Sequence, residues 1–157
     1  MKEINLVTKI RVYSYNELSE TDKNLVDLAK NATQRAYAPY SRFNVGAALL
    51  LENGAVITGS NQENVAFPSG TCAERTTCFY ANSSYPGVRF VKLAIAAFHN
   101  GAFTPHPVSP CGACRQVLAE YEKLGGEKLE IILYGDKEIY VLSEVADLLP
   151  LIFYEAL

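Results

Sequence analysis

The sequence predicts an α/β fold, a three-layer α/β/α arrangement with a mixed sheet of about five strands. Three observations lead there. Helical and strand-like periodicities alternate along the chain. The first two strands of the sheet flank Asn53-Gly54 in FNVGAALLLENGAVITGSN, a turn signal that joins antiparallel neighbours. Later strands are separated by helical segments, as parallel crossovers require, so helices should cover both faces of the sheet.

Each element has its own signal. Residues 4–15, INLVTKIRVYSY, alternate β-branched and aromatic residues with polar ones and read as extended. From Ser19 to about Ala36 the period becomes helical, with Leu25, Leu28, Ala29 and Ala32 on one stripe. Ser19 or Thr21 can cap this helix, and Pro39 ends it. The hairpin follows, then a short helix over residues 71–83. VKLAIAAF, residues 91–98, is apolar almost throughout, as a strand covered on both faces must be. HNGAFTPHPVSP reads as a loop. A second short helix spans residues 110–123 and stops before Gly125-Gly126. LEIILY and EIYVL are two more strands joined at Gly135-Asp136. Ser143 is expected to cap a last turn that Pro150 terminates.

Bulk properties narrow the function. A chain of 157 residues fits one domain and can bury a real core. The net charge is −3 and no Lys/Arg run occurs, which argues against a nucleic-acid partner held by cationic contacts to phosphate. No apolar stretch reaches the roughly 18 residues of a membrane span. MKEINLVTKIRVYSY lacks the apolar block of a signal peptide. The expected location is therefore cytoplasmic, where four cysteines are more often ligands or catalytic groups than disulfides.

Cys111 and Cys114 form a C-x-x-C pair in SPCGACRQV. With Ser109 as cap and Pro110 in the first helical position, both thiols fall on one face of the first turns. The helix N-terminus there lowers thiol pKa values. Spacing alone leaves a metal site, a redox pair and half of a zinc knuckle open. TCAERTTC supplies a third candidate. Cys72 sits at a second helix start, whereas Cys78 is six residues on, roughly 240° around the helix, among Thr77, Phe79 and Tyr80. Cys72 joins the pair, and Cys78 reads as a packed, inert thiol. Three sulfurs leave a fourth position open, as catalytic zinc sites do. His99 and His106 read as solvated loop residues. Glu74 has two readings: the far end of a Thr71-x-x-Glu74 capping box, or a carboxylate that moves protons beside the metal. Three thiolates on Zn²⁺ leave a charge of −1, which two helix N-termini and Arg75 would offset.

TCAERT followed by SPCGACRQVLAE resembles the cytidine deaminases, specifically the small homotetrameric class with three cysteine ligands. The resemblance runs from about Lys23 to Phe153 and includes AYAPYSRFNVGAALL and GSNQENVAF. It implies a cytidine-deaminase-like fold in a single zinc-dependent nucleoside deaminase domain, residues 1–157, in which residues 1–20 are an N-terminal extension outside the match. An added edge strand is the expected form of that extension. The resemblance implies one Zn²⁺ per chain on Cys72, Cys111 and Cys114, with Glu74 as proton shuttle. Phe43 would pack on the pyrimidine, with Val45 in the pocket wall. Asn61 and Glu63 would hold the ribose 3′-hydroxyl, and the Ala73 N–H the pyrimidine carbonyl. Phe153 would reach into a neighbouring subunit's site.

The implied activity is hydrolytic deamination of cytidine and 2′-deoxycytidine to the uridines and ammonia, in pyrimidine salvage. The implied partners are a nucleoside and three further copies of the chain, with no nucleic acid and no membrane. Rival readings are a deaminase of a modified nucleoside such as blasticidin S, an RNA-editing enzyme, and a non-catalytic zinc-stabilised binding module. The N-x-E pair, the acidic charge and the open fourth position speak against them in turn. Departures from the family pattern are Ser60, Phe67 and a longer loop over residues 99–107.

Overall fold

The computed structural model describes residues 1–154. Its strands are β1 (Arg11–Tyr13), β2 (Phe43–Leu51), β3 (Val56–Ser60), β4 (Phe90–His99), β5 (Ala102–Phe103), β6 (Glu130–Tyr134) and β7 (Ile139–Leu142). Its helices are α1 (Glu20–Ala32), α2 (Ala73–Ser84) and α3 (Gly112–Gly125). The sheet order is β1-β7-β6-β4-β2-β3, with β5 paired to β4. Among the described residues only β4 and β6 pair in parallel, joined through α3, so the sheet is mixed as expected.

The five expected strands are all present, and β1 and β5 are additional. β1 is the added edge strand, pairing Arg11 with Val141 and Tyr13 with Ile139, but it is confined to three residues of the stretch that reads as extended. β5 exists because His99-Asn100-Gly101-Ala102 forms a tight hairpin: Asn100 (φ 52°) and Gly101 (φ 82°) both take the left-handed region. Asn100-Gly101 is the same dipeptide that turns the β2–β3 hairpin.

Alternating side chains divide the core into two layers. Ala47, Leu49 and Leu51 of β2 and Leu93 and Ile95 of β4 pack with α2 and α3. Ala48, Ala94 and Ala96 on the opposite face meet Leu25, Val26 and Ala29 of α1. The α1 face of these strands is built from small residues, which lets the helix lie close. Gly46 shows how close: a Cβ there would stand 2.1 Å from the Ala29 carbonyl oxygen.

Ser19 caps α1, its Oγ accepting from the Asp22 N–H at 3.2 Å. The α-helical run stops at Ala32, short of the expected Ala36. A 3-10 turn covers Thr33–Arg35, and Ala36 turns extended so that Tyr37 can bond the Asn61 carbonyl and the Glu63 N–H. The last turn, Val145–Asp147, is a 3-10 turn capped by Glu144 rather than by Ser143.

Candidate metal centre and adjoining cavity

Both helices that carry the ligand candidates begin on a cysteine. Cys72 is the N-cap of α2 (φ −69°, ψ 155°) and Cys111 the N-cap of α3 (φ −65°, ψ 164°). This corrects two expectations. Ser109 does not cap α3, and Pro110 precedes the cap instead of opening the helix. No Thr71-x-x-Glu74 capping box forms, because Thr71 lies outside the cap and Glu74 is the second helical residue. A cysteine at the cap has the extended backbone that aims its side chain at the unpaired N–H groups of the first turn. Neither thiol makes a side-chain capping bond. Both sulfurs are left for another partner.

Cys114, one turn into α3, completes the group. Its sulfur is 3.4 Å from that of Cys111, which is 3.8 Å from that of Cys72. All three sulfurs lie within 4.8 Å of one another, and among the described residues they form the group without a histidine or carboxylate. Tetrahedral Zn–S bonds of about 2.3 Å separate two sulfurs by roughly 3.8 Å. An all-sulfur donor set at this spacing fits zinc and leaves its fourth position open.

The surroundings favour thiolates at Cys72. The neighbouring Cys114 thiol, Arg75 and the Cys111 thiol hold its pKa well below the ordinary thiol value. The same coupling and burial push Cys114 up. Arg75 Nη2 stands 3.7 Å from Cys72 Sγ, as expected of a group that offsets thiolate charge. Glu74 is 5% exposed, and burial raises its carboxyl pKa, with the Cys72 charge adding to the effect. Cys78 is fully buried in the core against α2's neighbours, and burial raises its pKa too. His99 bonds the Arg42 carbonyl at 2.9 Å and His106 the Glu138 carboxylate at 2.9 Å. His106 is exposed, but His99 is half-buried, its ring centroid 5.5 Å from that of Phe43.

A cavity of about 300 Å³ opens beside the sulfurs, with Phe43, Val45, Ala73, Glu74 and Ile95 in its walls. A wider cleft of about 550 Å³ adjoins it, bordered by Tyr40, Glu63, Phe67 and Arg75. Ser41, Asn61 and Cys72 line both. A third cleft, about 520 Å³ beside Lys123 and Tyr154, lies away from this cluster and carries no comparable chemistry. Asn61 spans the entrance of β2: its Oδ1 accepts from the Val45 N–H (2.8 Å), and its Nδ2 donates to the Phe43 carbonyl (2.9 Å). Glu63 accepts from the Tyr40 and Ser41 N–H groups at 2.9 and 3.3 Å. The Ser41 hydroxyl and these amides hold its pKa below the usual carboxylate value. Both side chains thus brace the segment that presents Phe43. Ala73 is the first residue of α2, so its N–H has no intrahelical partner.

Phe153 does not enter this cavity. It is 78% exposed, and its backbone is held by Gln116. Sequence reasoning missed Ser41, Ile95, Val108 and Ser109 as lining residues. Ser41 adjoins Phe43 in YSRF and Ser109 adjoins the C-x-x-C pair, whereas Ile95 looks like any other strand residue.

The family model for the zinc-binding region of cytidine and deoxycytidylate deaminases matches residues 19–124. The cytidine deaminase of Sporosarcina psychrophila is 51% identical over 100 residues, which are 63% of this chain and 68% of that protein. The cytidine deaminase of Mycobacterium tuberculosis strain H37Rv is 42% identical over 117 residues, 73% of this chain and 80% of that one. Among solved structures, the cytidine deaminase from Burkholderia pseudomallei superposes with a TM-score of 0.71 at 40% identity, over 87% of this chain and 100% of that one. That from M. tuberculosis gives 0.68 at 37% identity, over 87% and 98%.

Proposed function

The chain belongs to the cytidine and deoxycytidylate deaminase zinc-binding family, and from that premise we propose that it hydrolyses cytidine and 2′-deoxycytidine to the uridines and ammonia. The observation that carries the reading is a buried carboxylate, Glu74, which lines the same cavity as Cys72 and Cys111 of the three-sulfur group that leaves a metal coordination position open. When bound, zinc supplies a water acidified enough to ionise near neutral pH.

The chain's own residues do the rest. Glu74 takes the proton from water and passes it to the ring nitrogen N3. The hydroxide left behind attacks C4, and Glu74 then carries the proton of the new C4 hydroxyl to the exocyclic amine; the C4–N bond breaks, C4 becomes a carbonyl, and one ammonia leaves for one water consumed. Burial raises the carboxyl pKa toward the working pH, which suits a group that both accepts and donates. The Ala73 N–H holds the pyrimidine carbonyl. Phe43 and Val45 pack on the ring and fix its angle of approach. Asn61 and Glu63 keep a free N–H and carboxylate oxygen for the ribose 3′-hydroxyl.

The wider cleft favours a nucleoside over a nucleotide. Its one cationic side chain, Arg75, is engaged with Cys72, and Glu63 would repel a phosphate. The readout is absorbance loss on cytidine, deoxycytidine and cytidine monophosphate with zinc-loaded protein. Turnover of both nucleosides with little of the nucleotide supports the reading. Turnover of the nucleotide alone overturns it.

The assembly belongs to the same proposal. Phe153, Phe67 and Val65 are each more than 70% exposed, and burying them against another copy of the chain would remove that apolar surface from water. A homotetramer with Phe153 reaching a neighbouring site would cover them. The proposal also includes a single domain over residues 1–157, a cytoplasmic location and a part in pyrimidine salvage. No helix among the described residues is long and apolar enough to cross a membrane.

A further inference from the structure

The C-terminal tail is fastened to the helix that carries two of the three cysteines. Arg115 directly follows Cys114 and folds back over the start of α3. Its Nε donates to the Pro110 carbonyl and its Nη1 to the Leu148 carbonyl, both at 2.8 Å. Pro110 is the residue before Cys111, and Leu148 closes the last 3-10 turn, where the tail begins. The next residue, Gln116, grips Phe153 from both sides: Nε2 donates to its carbonyl at 2.8 Å and Oε1 accepts from its N–H at 3.3 Å. One guanidinium therefore spans the metal turn and the root of the tail, and its neighbour holds the tail near its end.

We propose that Arg115 is a positioning residue that couples the metal turn to the C-terminal tail, so that zinc on Cys111 and Cys114 and an ordered tail stabilise one another. The inference rests on the three-cysteine reading of the metal centre. Its basis is geometric. Shifting the Pro110–Cys111 peptide moves one of two carbonyls that a rigid, planar fork must reach together, and the other carbonyl belongs to the tail. Any free-energy coupling between the two regions is reciprocal: what zinc does to the tail, the tail does to zinc. A lysine would keep the charge, but its single ammonium on a flexible stem cannot reproduce the two-carbonyl fork.

The test is amide hydrogen exchange of the full chain, zinc-free and zinc-loaded, for wild type, Arg115→Gln, Arg115→Lys and Gln116→Ala, with zinc release timed by a chromophoric chelator. In wild type, zinc should slow exchange across residues 148–153 by about tenfold. In both Arg115 variants the slowing should fall below about twofold, and zinc should leave about tenfold faster. Gln116→Ala should lose the response at Phe153 and keep it at Leu148. A contact that merely supports the fold would raise exchange equally with and without zinc. That result, or a wild-type tail indifferent to one bound zinc per chain, overturns the coupling alone. Failure of the three thiols to bind zinc overturns the metal-centre reading and the coupling with it.

Discussion

Cys72 and Cys111 occupy equivalent places on two helices: each is an N-cap, and their sulfurs lie 3.8 Å apart. The sheet aims two helix N-termini at one point, and the residue at each tip is a thiol. Free N–H groups and two positive dipole ends therefore converge where thiolate charge must be held. Cys114 adds the third sulfur because it is one turn along α3.

Removing a sulfur from this group should remove the metal. Cys111→Ser is expected to drop zinc below about a tenth of an equivalent per chain, because two sulfurs rarely hold zinc in a stable site. Cys78→Ala should keep a full equivalent and cost about 1 kcal/mol of stability, as a small truncation in the core. Elemental analysis alongside thermal unfolding checks both.

Zinc affinity should rise with pH. In the metal-free protein the Cys114 thiol is raised above its ordinary value and is protonated at neutral pH, so binding must displace its proton. Cys72 is held low and adds less pH dependence there. One proton released per zinc means at least about a tenfold change in Kd per pH unit. Chelator competition between pH 6 and 8 reads the slope, and a flat profile would contradict it.

Glu63 braces the Tyr40–Ser41 backbone just ahead of Phe43. Glu63→Ala should raise KM for cytidine on the order of tenfold while lowering kcat less, the loss of one or two charge-assisted hydrogen bonds. Its folded pKa is depressed, so the brace is present above the ordinary carboxylate value and is lost as pH falls through the lowered one. Steady-state kinetics at neutral and acid pH follow both effects.

Gly46 lies where α1 crosses β2, and an added Cβ would also stand 2.6 Å from the Thr33 N–H nitrogen. Both contacts are backbone, so neither can rotate away. Gly46→Ala should cost more than about 2 kcal/mol. Urea unfolding measures it, and a midpoint unchanged from wild type would contradict the packing described.

Much of this was legible in the chain. The hairpin at Asn53-Gly54, the all-apolar β4 and the stripe of α1 each carry a strong local pattern, and each stands where the pattern places it. The grouping of Cys72 with Cys111 and Cys114, and the exclusion of Cys78, are legible from the helix start at Cys72, the rotation that separates it from Cys78, and the packing neighbours of Cys78. The errors sit where local chemistry offers near-equivalent answers. Ser109 is a better cap than cysteine by propensity, yet the helix starts two residues later. β5 falls in the stretch that reads as a loop because two residues carry no period; its one local signal is the Asn100-Gly101 dipeptide. Nothing in the spacing of Asn61 and Glu63 reveals that they hold the backbone around Phe43. Arg115 gave no signal, because its partners, Pro110 and Leu148, meet only in the folded chain.

Glu74→Gln separates proton transfer from metal binding at the three-cysteine site. The variant preserves shape and removes the proton acceptor. It should hold about one zinc per chain, as in wild type, with deamination of cytidine lowered by about 10³-fold or more, on the order expected for loss of proton transfer. A zinc-loaded Glu74→Gln that turns over cytidine within about tenfold of wild type would contradict it.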